Sequence, residues 1–442
     1  MMTSYRTKIF YCVLLVSLML GVGFTASAQD SAGSPLLDML ARVPNTPVSR
    51  NEIYFNDRVA IEAAYPPARR LLSWAEFDSL DAGSDFDAEV WWRVWMNQSS
   101  APTARYLVTY NETPDLLGFD YFDITQELSY GIPPNQTIQV AGSFDLDSVR
   151  TAFGNLGFEQ DSSASIELWC GPSGCDSGLE QNLRERNPAN MFGGDLGRKW
   201  PLIIQEGVLI SSPSLPVIEH HLAVLDGQNM SLADSIEYRA AAETITRQGA
   251  LLQAYFMGGE SLLMMSDNGV VTALLGTQAS PDAVREVLQT LLEDFETLPA
   301  YELLTIADVA TETEQIGQVA LVYSSAENAQ IAADLIPRRI AAYQSLVTNR
   351  SLSEMLQDRY VEEVGTEIVE HPETGKWVLV ISFATPKASA EQIIELRSDN
   401  TEAPEVTPPG IIFRILMQAI NSRDTGWLNT ATREQIEELI GS

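Results

Sequence analysis

Two rhythms of apolar and polar positions alternate along this chain. Short runs rich in Val, Ile and aromatic residues, bounded by turn residues, predict strands at Tyr106–Tyr110, Ile138–Gly142, Ile166–Cys170, Ala250–Met257 and Gln318–Tyr323. Three pairs of such runs predict hairpins. One spans Pro201–Ser212 around Gln205-Glu206-Gly207, and one flanks Pro372-Glu373-Thr374-Gly375. The third joins Leu262–Met265 to Val270–Leu275 across Asp267-Asn268-Gly269. The slower rhythm predicts helices. Val284, Val287, Leu288, Leu291, Leu292 and Phe295 repeat at i, i+3, i+4, i+7 within Pro281–Glu296, with Ser280 as cap. Val149, Phe153 and Leu156 share the face of a helix capped by Asp145 or Asp147. Further helices are expected at Leu36–Val43, Leu215–Leu225, Ser231–Arg247, Ala326–Val347 (interrupted by Pro337), Ala388–Arg397 and Thr432–Ile440. Residues 45–103 keep neither period, although Val90–Met96 reads as a strand.

Hairpins set between helices point to an α+β fold, with antiparallel sheets, helices packed on one face and room for repeated ferredoxin-like units. Gly142-Ser143 before Asp147-Ser148-Val149-Arg150 parallels Gly276-Thr277 before Asp282-Ala283-Val284-Arg285. Any strand-to-helix turn selects such residues, and that explanation is preferred to a duplication. The length suggests an N-terminal α+β domain over 29–259 and a C-terminal one over 260–442.

The first 28 residues have the layout of a secretory signal peptide. Arg6 and Lys8 precede an apolar run from Ile9 to about Thr25, and Ala26-Ser27-Ala28 forms a small-residue cleavage site. The expected mature form starts at Gln29, is extracytoplasmic and has no membrane insertion. It keeps 25 basic and 60 acidic residues, a net charge of −35. That excess argues against nucleic acid and anionic membranes as partners, since both need a basic face. Calcium or cationic partners suit it better.

Cleavage would also remove Cys12 and leave Cys170 and Cys175 as a close pair in an oxidising compartment, which predicts one disulfide. Trp169-Cys170-Gly171-Pro172 resembles the start of the thioredoxin active site, but Ser173 stands where the resolving cysteine belongs. The following segment is also too polar for the helix that activates the thiol. A structural staple is therefore expected. His220 and His221 are adjacent and point to different sides, so they do not share a metal. Asp78–Glu89 fails as an EF-hand loop because Leu80 and Ala82 hold ligand positions. Trp91 and Trp95 would share one strand face, and core packing is preferred there to sugar stacking. No Gly-x-Ser-x-Gly, Ser-x-x-Lys or His-Glu-x-x-His pattern occurs. No catalytic residue, metal ligand or cofactor is assigned.

Trp169-Cys170 with Cys175, Phe192-Gly193-Gly194-Asp195-Leu196-Gly197-Arg198 and Ser231-Leu232-Ala233-Asp234 together resemble an uncharacterised family of exported bacterial proteins. The resemblance implies an extracytoplasmic location and no mechanism. The expected function is non-enzymatic ligand binding or cell-envelope interaction. The alternatives are a secreted hydrolase using paired carboxylates and a calcium-stabilised adhesion module.

Overall fold

The computed structural model describes residues 34–65, 73–79, 89–90, 92–94, 111–132, 134–162, 164–262, 296–345, 347–361, 363–395, 406–430, 432 and 434. The expected signal segment, the strand at 106–110, the hairpin around 267–269, the helix at 281–296 but for Glu296 and most of the acidic 78–89 patch lie outside these residues, as do Trp91, Trp95 and, but for Thr432 and Glu434, the 432–440 helix. So does Gly276, on which the comparison with Gly142 rested.

One antiparallel sheet organises the unit Pro35–Ser442. Its twelve strands are β1 (Glu52–Asp57), β2 (Ile124–Tyr130), β3 (Thr137–Gly142), β4 (Glu159–Gln160), β5 (Leu168–Cys170), β6 (Leu202–Gln205), β7 (Val208–Ser211), β8 (Ala250–Met257), β9 (Leu303–Ala310), β10 (Glu314–Tyr323), β11 (Val364–His371) and β12 (Lys376–Pro386). Their spatial order is β11-β12-β10-β9-β8-β1-β2-β3-β7-β6-β5-β4. The order contains a repeat. Outward from the centre, β1-β2-β3-β7-β6 and β8-β9-β10-β12-β11 are the same topology, a three-strand meander followed by a hairpin. The first half then adds β5 and β4 outside β6. The halves join through β1 and β8, with Tyr54 opposite Tyr255.

Helices cover both faces. On one, α4 (Leu146–Asn155) packs Val149 and Phe153 over Ile138, Val140 and Leu209 of the first half. The helix forms because Asp145 caps it, accepting from the Asp147 and Ser148 amides. On the same face α7 (Ala326–Ala342) and α8 (Ile411–Asn421) cover Val319, Leu321 and Ile381 of the second half. The opposite face receives α5 (Leu215–Leu225) and α6 (Ile236–Ile245), together with the N-terminal α1 (Pro35–Leu40). Burial on both faces explains why β10 reads as a continuous apolar run from Val319 to Tyr323 instead of an alternating one.

The 90–96 segment is a correction. Residues 89–90 and 92–94 are helical, Glu89 pairs with Arg93 four residues on at 2.7 Å, and Trp92 packs on Phe77 with ring centroids 5.1 Å apart. The i,i+4 ion pair favours helix over strand here.

A row of polar side chains crosses the middle of the sheet. Glu127 (β2), Asn56 (β1), Gln253 (β8) and Asp308 (β9) are successive cross-strand partners, and none is more than 2% exposed. Asp308 accepts from Gln253 at 3.1 Å and from Gln315 at 3.0 Å. Arg58, the first residue of α3 (Arg58–Ala64), lies 3.9 Å from Glu127, donates to the Tyr121 carbonyl at 2.7 Å and stacks 3.7 Å above the Tyr121 ring. Buried charges persist only where such partners compensate their lost hydration.

Candidate functional site

The strands that join the halves end beside an open groove of about 590 Å³. Four segments line it. Pro47 and Arg50 come from α2 (Pro47–Asn51), Glu237 from the first turn of α6, Gly259, Glu260 and Leu262 from the turn after β8, and Tyr301 and Glu302 from the approach to β9.

Each wall is fixed by a local feature. Thr46 caps α2 through a reciprocal bond with Ser49, and Pro47 starts it. Asn51, at the end of α2, anchors the turn after β8. Its carbonyl accepts from the Gly258 amide at 3.0 Å, and its side chain accepts from the Glu260 amide at 3.0 Å. Gly259 has φ +52°, and a Cβ there would sit 2.8 Å from the Asn51 side-chain oxygen, so the turn needs glycine. Tyr301 donates to the Leu428 carbonyl at 3.1 Å, which holds its ring in place.

The charges divide into held and unheld. Arg50 donates to Glu237 at 2.6 Å and to Asn45 at 2.6 Å. Burial alone would raise the Glu237 carboxyl, but its own backbone amide, the Ser235 hydroxyl and the Arg50 guanidinium hold it below the usual carboxylate range. Glu302 is paired with Lys376 at 2.6 Å. Glu260 has no cationic partner among the described residues. Nearby, Glu52 takes a 3.5 Å bond from Ser261 and is raised by burial. Tyr54, on the same strand, is pushed up to about 12 by burial and then by Glu52. The groove therefore combines buried Leu262 and Tyr301 and exposed Pro47 with an excess of carboxylate.

None of the side chains singled out in the sequence lines this groove. Cys170 and Cys175 are disulfide-bonded, with Cα atoms 4.7 Å apart, at the end of β5 on the far edge of the first half. Asp161 lies close enough to complete a three-group cluster with them, but the bonded sulfurs offer no free thiolate. A short 3-10 turn, Cys175–Leu179, follows the pair. His220 is exposed and His221 buried, on opposite sides of α5. The His221 Nδ1–H donates to the Arg42 carbonyl at 2.8 Å, so Nε2 accepts from the Tyr130 hydroxyl at 2.6 Å. Burial brings its pKa down to about 4, and the ring is neutral. His371 donates from Nε2 to Thr244, whose own hydroxyl proton goes to the Ala240 carbonyl. The Gly193–Arg198 loop packs internally, with Gly193 against the Trp200 ring. Among the described residues no helix is long and apolar enough to cross a membrane.

The signal that sequence reading missed is diffuse. Each segment contributes one to three residues to the groove, with no fixed spacing between them.

Compared with solved structures, the chain is similar to TP0453, a bacterial protein of Treponema, in two crystal forms. Form I aligns at TM-score 0.31 and 10% identity, covering 80% of this chain and 95% of that one. Form IV aligns at TM-score 0.33 and 10% identity, covering 81% and 98%. No protein-family model and no curated protein matches the chain.

Proposed function

We propose that this chain is an exported, non-enzymatic binding protein whose central groove takes a cationic, partly apolar ligand. The observation that carries this reading is the unheld Glu260 carboxylate in a groove also lined by the apolar Leu262, Tyr301 and Pro47. Glu237 and Glu302 already have cationic partners, so they shape the rim and add negative potential. An ammonium or guanidinium on an apolar body fits both features, and the acidic surface draws it in. The N-terminal signal pattern supports a location outside the cytoplasm.

Calorimetric titration with an amidated Lys-Phe-Lys peptide tests this. Binding weakens as salt is raised. Glu260→Gln weakens it about two- to fivefold, as expected for one exposed charge contact. Equal binding of Glu-Phe-Glu, or no change in Glu260→Gln, contradicts the reading.

A hydrolase is the second reading. Its carboxylates would be Glu52, raised by burial, and Glu237, held low by its own amide, Ser235 and Arg50. Turnover of a chromogenic glycoside panel that Glu52→Gln abolishes would put this reading in place of the first.

A further inference from the structure

The sheet's two outer ends differ. In the first half, β6 carries β5 on its outer side, with Leu168 opposite Ile203 and Trp169 opposite Leu202, and β4 lies beyond. β11 is the topological counterpart of β6. It pairs with β12 along all eight residues, from Val364–Phe383 to His371–Lys376, and no described strand lies on its other side. Apart from the turn bonds that the Thr374 amide and hydroxyl and the Gly375 amide make to the His371 carbonyl, the backbone of Val364–His371 makes no hydrogen bond outside that ladder among the described residues. Half of its peptide groups therefore face outward unpaired.

Most devices that block pairing at an edge are missing. β11 holds no proline and no lysine, and its register with β12 runs without a bulge. What it does hold is acid. Glu367 and Glu370 are exposed, three residues apart and so on opposite faces of the strand. Ile368 and Val369 lie between them, half-buried and buried.

We propose that β11 is a strand-addition site for an extended basic segment of another protein. Main-chain bonds to the free edge supply the affinity, as in other strand-addition complexes. Selectivity comes from charge. A cation opposite Glu367, two β-branched residues opposite Ile368 and Val369, and a cation opposite Glu370 match the strand. A second copy of this chain is the poorer occupant, because antiparallel self-pairing would bring two acidic strands together on chains that each carry a net −33. The filled edge of β6 shows that this topology accommodates another strand at the equivalent position. The site is separate from the groove and does not depend on how the groove is read.

The probe is the acetylated, amidated octapeptide Ser-Thr-Lys-Val-Ile-Arg-Thr-Ser, followed by fluorescence anisotropy on the full chain. It binds, and N-methylation of alternate peptide nitrogens on its pairing side removes binding. Glu367→Lys with Glu370→Lys weakens it more than about tenfold, since like charges then face each other, and gives binding to the peptide with Glu in place of Lys and Arg. Circular dichroism checks that this variant is folded. Both substitutions are at exposed positions, and the single Glu370→Gln gives an intermediate loss should the double variant fail to fold. Three results overturn the proposal: binding that survives N-methylation, binding unchanged by the charge reversal, or loss caused by Glu260→Gln instead. Dimerisation of the free chain through this edge, seen by sedimentation, also overturns it.

Discussion

The two halves of the sheet repeat one strand order but finish it differently. Beside β6 the chain turns back to add β5 and β4, and a disulfide closes the loop that follows. Beside β11 it adds no strand among the described residues and leaves carboxylates on the edge. Each half has the same need to bury a hairpin against its meander, and both meet it with inward Val, Ile and Leu. The difference teaches that the shared part is the meander with its hairpin, while the edges are free to diverge. Function is therefore to be sought where the halves differ, at β11, and where they meet, at the groove.

The largest expected effect falls in the first half, beside the join. Arg58→Ala strips the buried Glu127 carboxylate of its cation and removes a guanidinium stacked on Tyr121. Breaking a buried pair from one side costs about 3–5 kcal/mol. Because β1 and β8 are paired, urea unfolding of the variant remains a single transition at lower denaturant. A shift confined to one of two separable transitions would mean that the halves are independent.

The row that Arg58 serves also explains what sequence reading reached. β3, β8, the hairpin of β6 and β7, the hairpin of β11 and β12, and α4 and α5 all appear in the apolar pattern within a few residues. β1, β2 and β9 do not. Each carries one member of the buried polar row, Asn56, Glu127 or Asp308, at a position that a period-two pattern expects to be apolar, whereas β8 keeps a legible run because apolar residues flank its own member, Gln253, on both sides. A lone buried carboxylate is legible only when its partners are known, and they come from other strands. The strand expected at Val90–Met96 failed, at Val90 and Trp92–Val94, for the opposite reason: its aromatic density suggests a strand, whereas the Glu89–Arg93 pairing belongs to a helix. The groove stayed hidden because it is assembled from four separate segments. The disulfide was legible because two cysteines five residues apart carry the signal alone.

A medium effect separates the halves by pH. His221 belongs to the first half, and burial lowers its pKa from 6.5 to about 4. The unfolded chain therefore binds more protons between those values, and the neutral ring's contribution is complete above about pH 6.5. It is lost as pH falls towards 4, by up to about 3 kcal/mol. In unfolding measurements from pH 7 to 4, His221→Gln flattens this slope. An unchanged slope would show that other groups carry it.

The smallest effect concerns the closed edge. Replacing Cys170 and Cys175 by serine frees a short loop, with an expected loss of about 2 kcal/mol. Amide exchange rises at β4 and β5 and stays the same at β11. A rise at both edges would show that the staple serves the whole sheet.

The most direct test of the contrast between edges is amide hydrogen exchange on the full chain, with and without the basic octapeptide. The account predicts protection of Val364–His371 and no change at Glu159–Cys170. Absence of protection at β11, or equal protection at both edges, would contradict it.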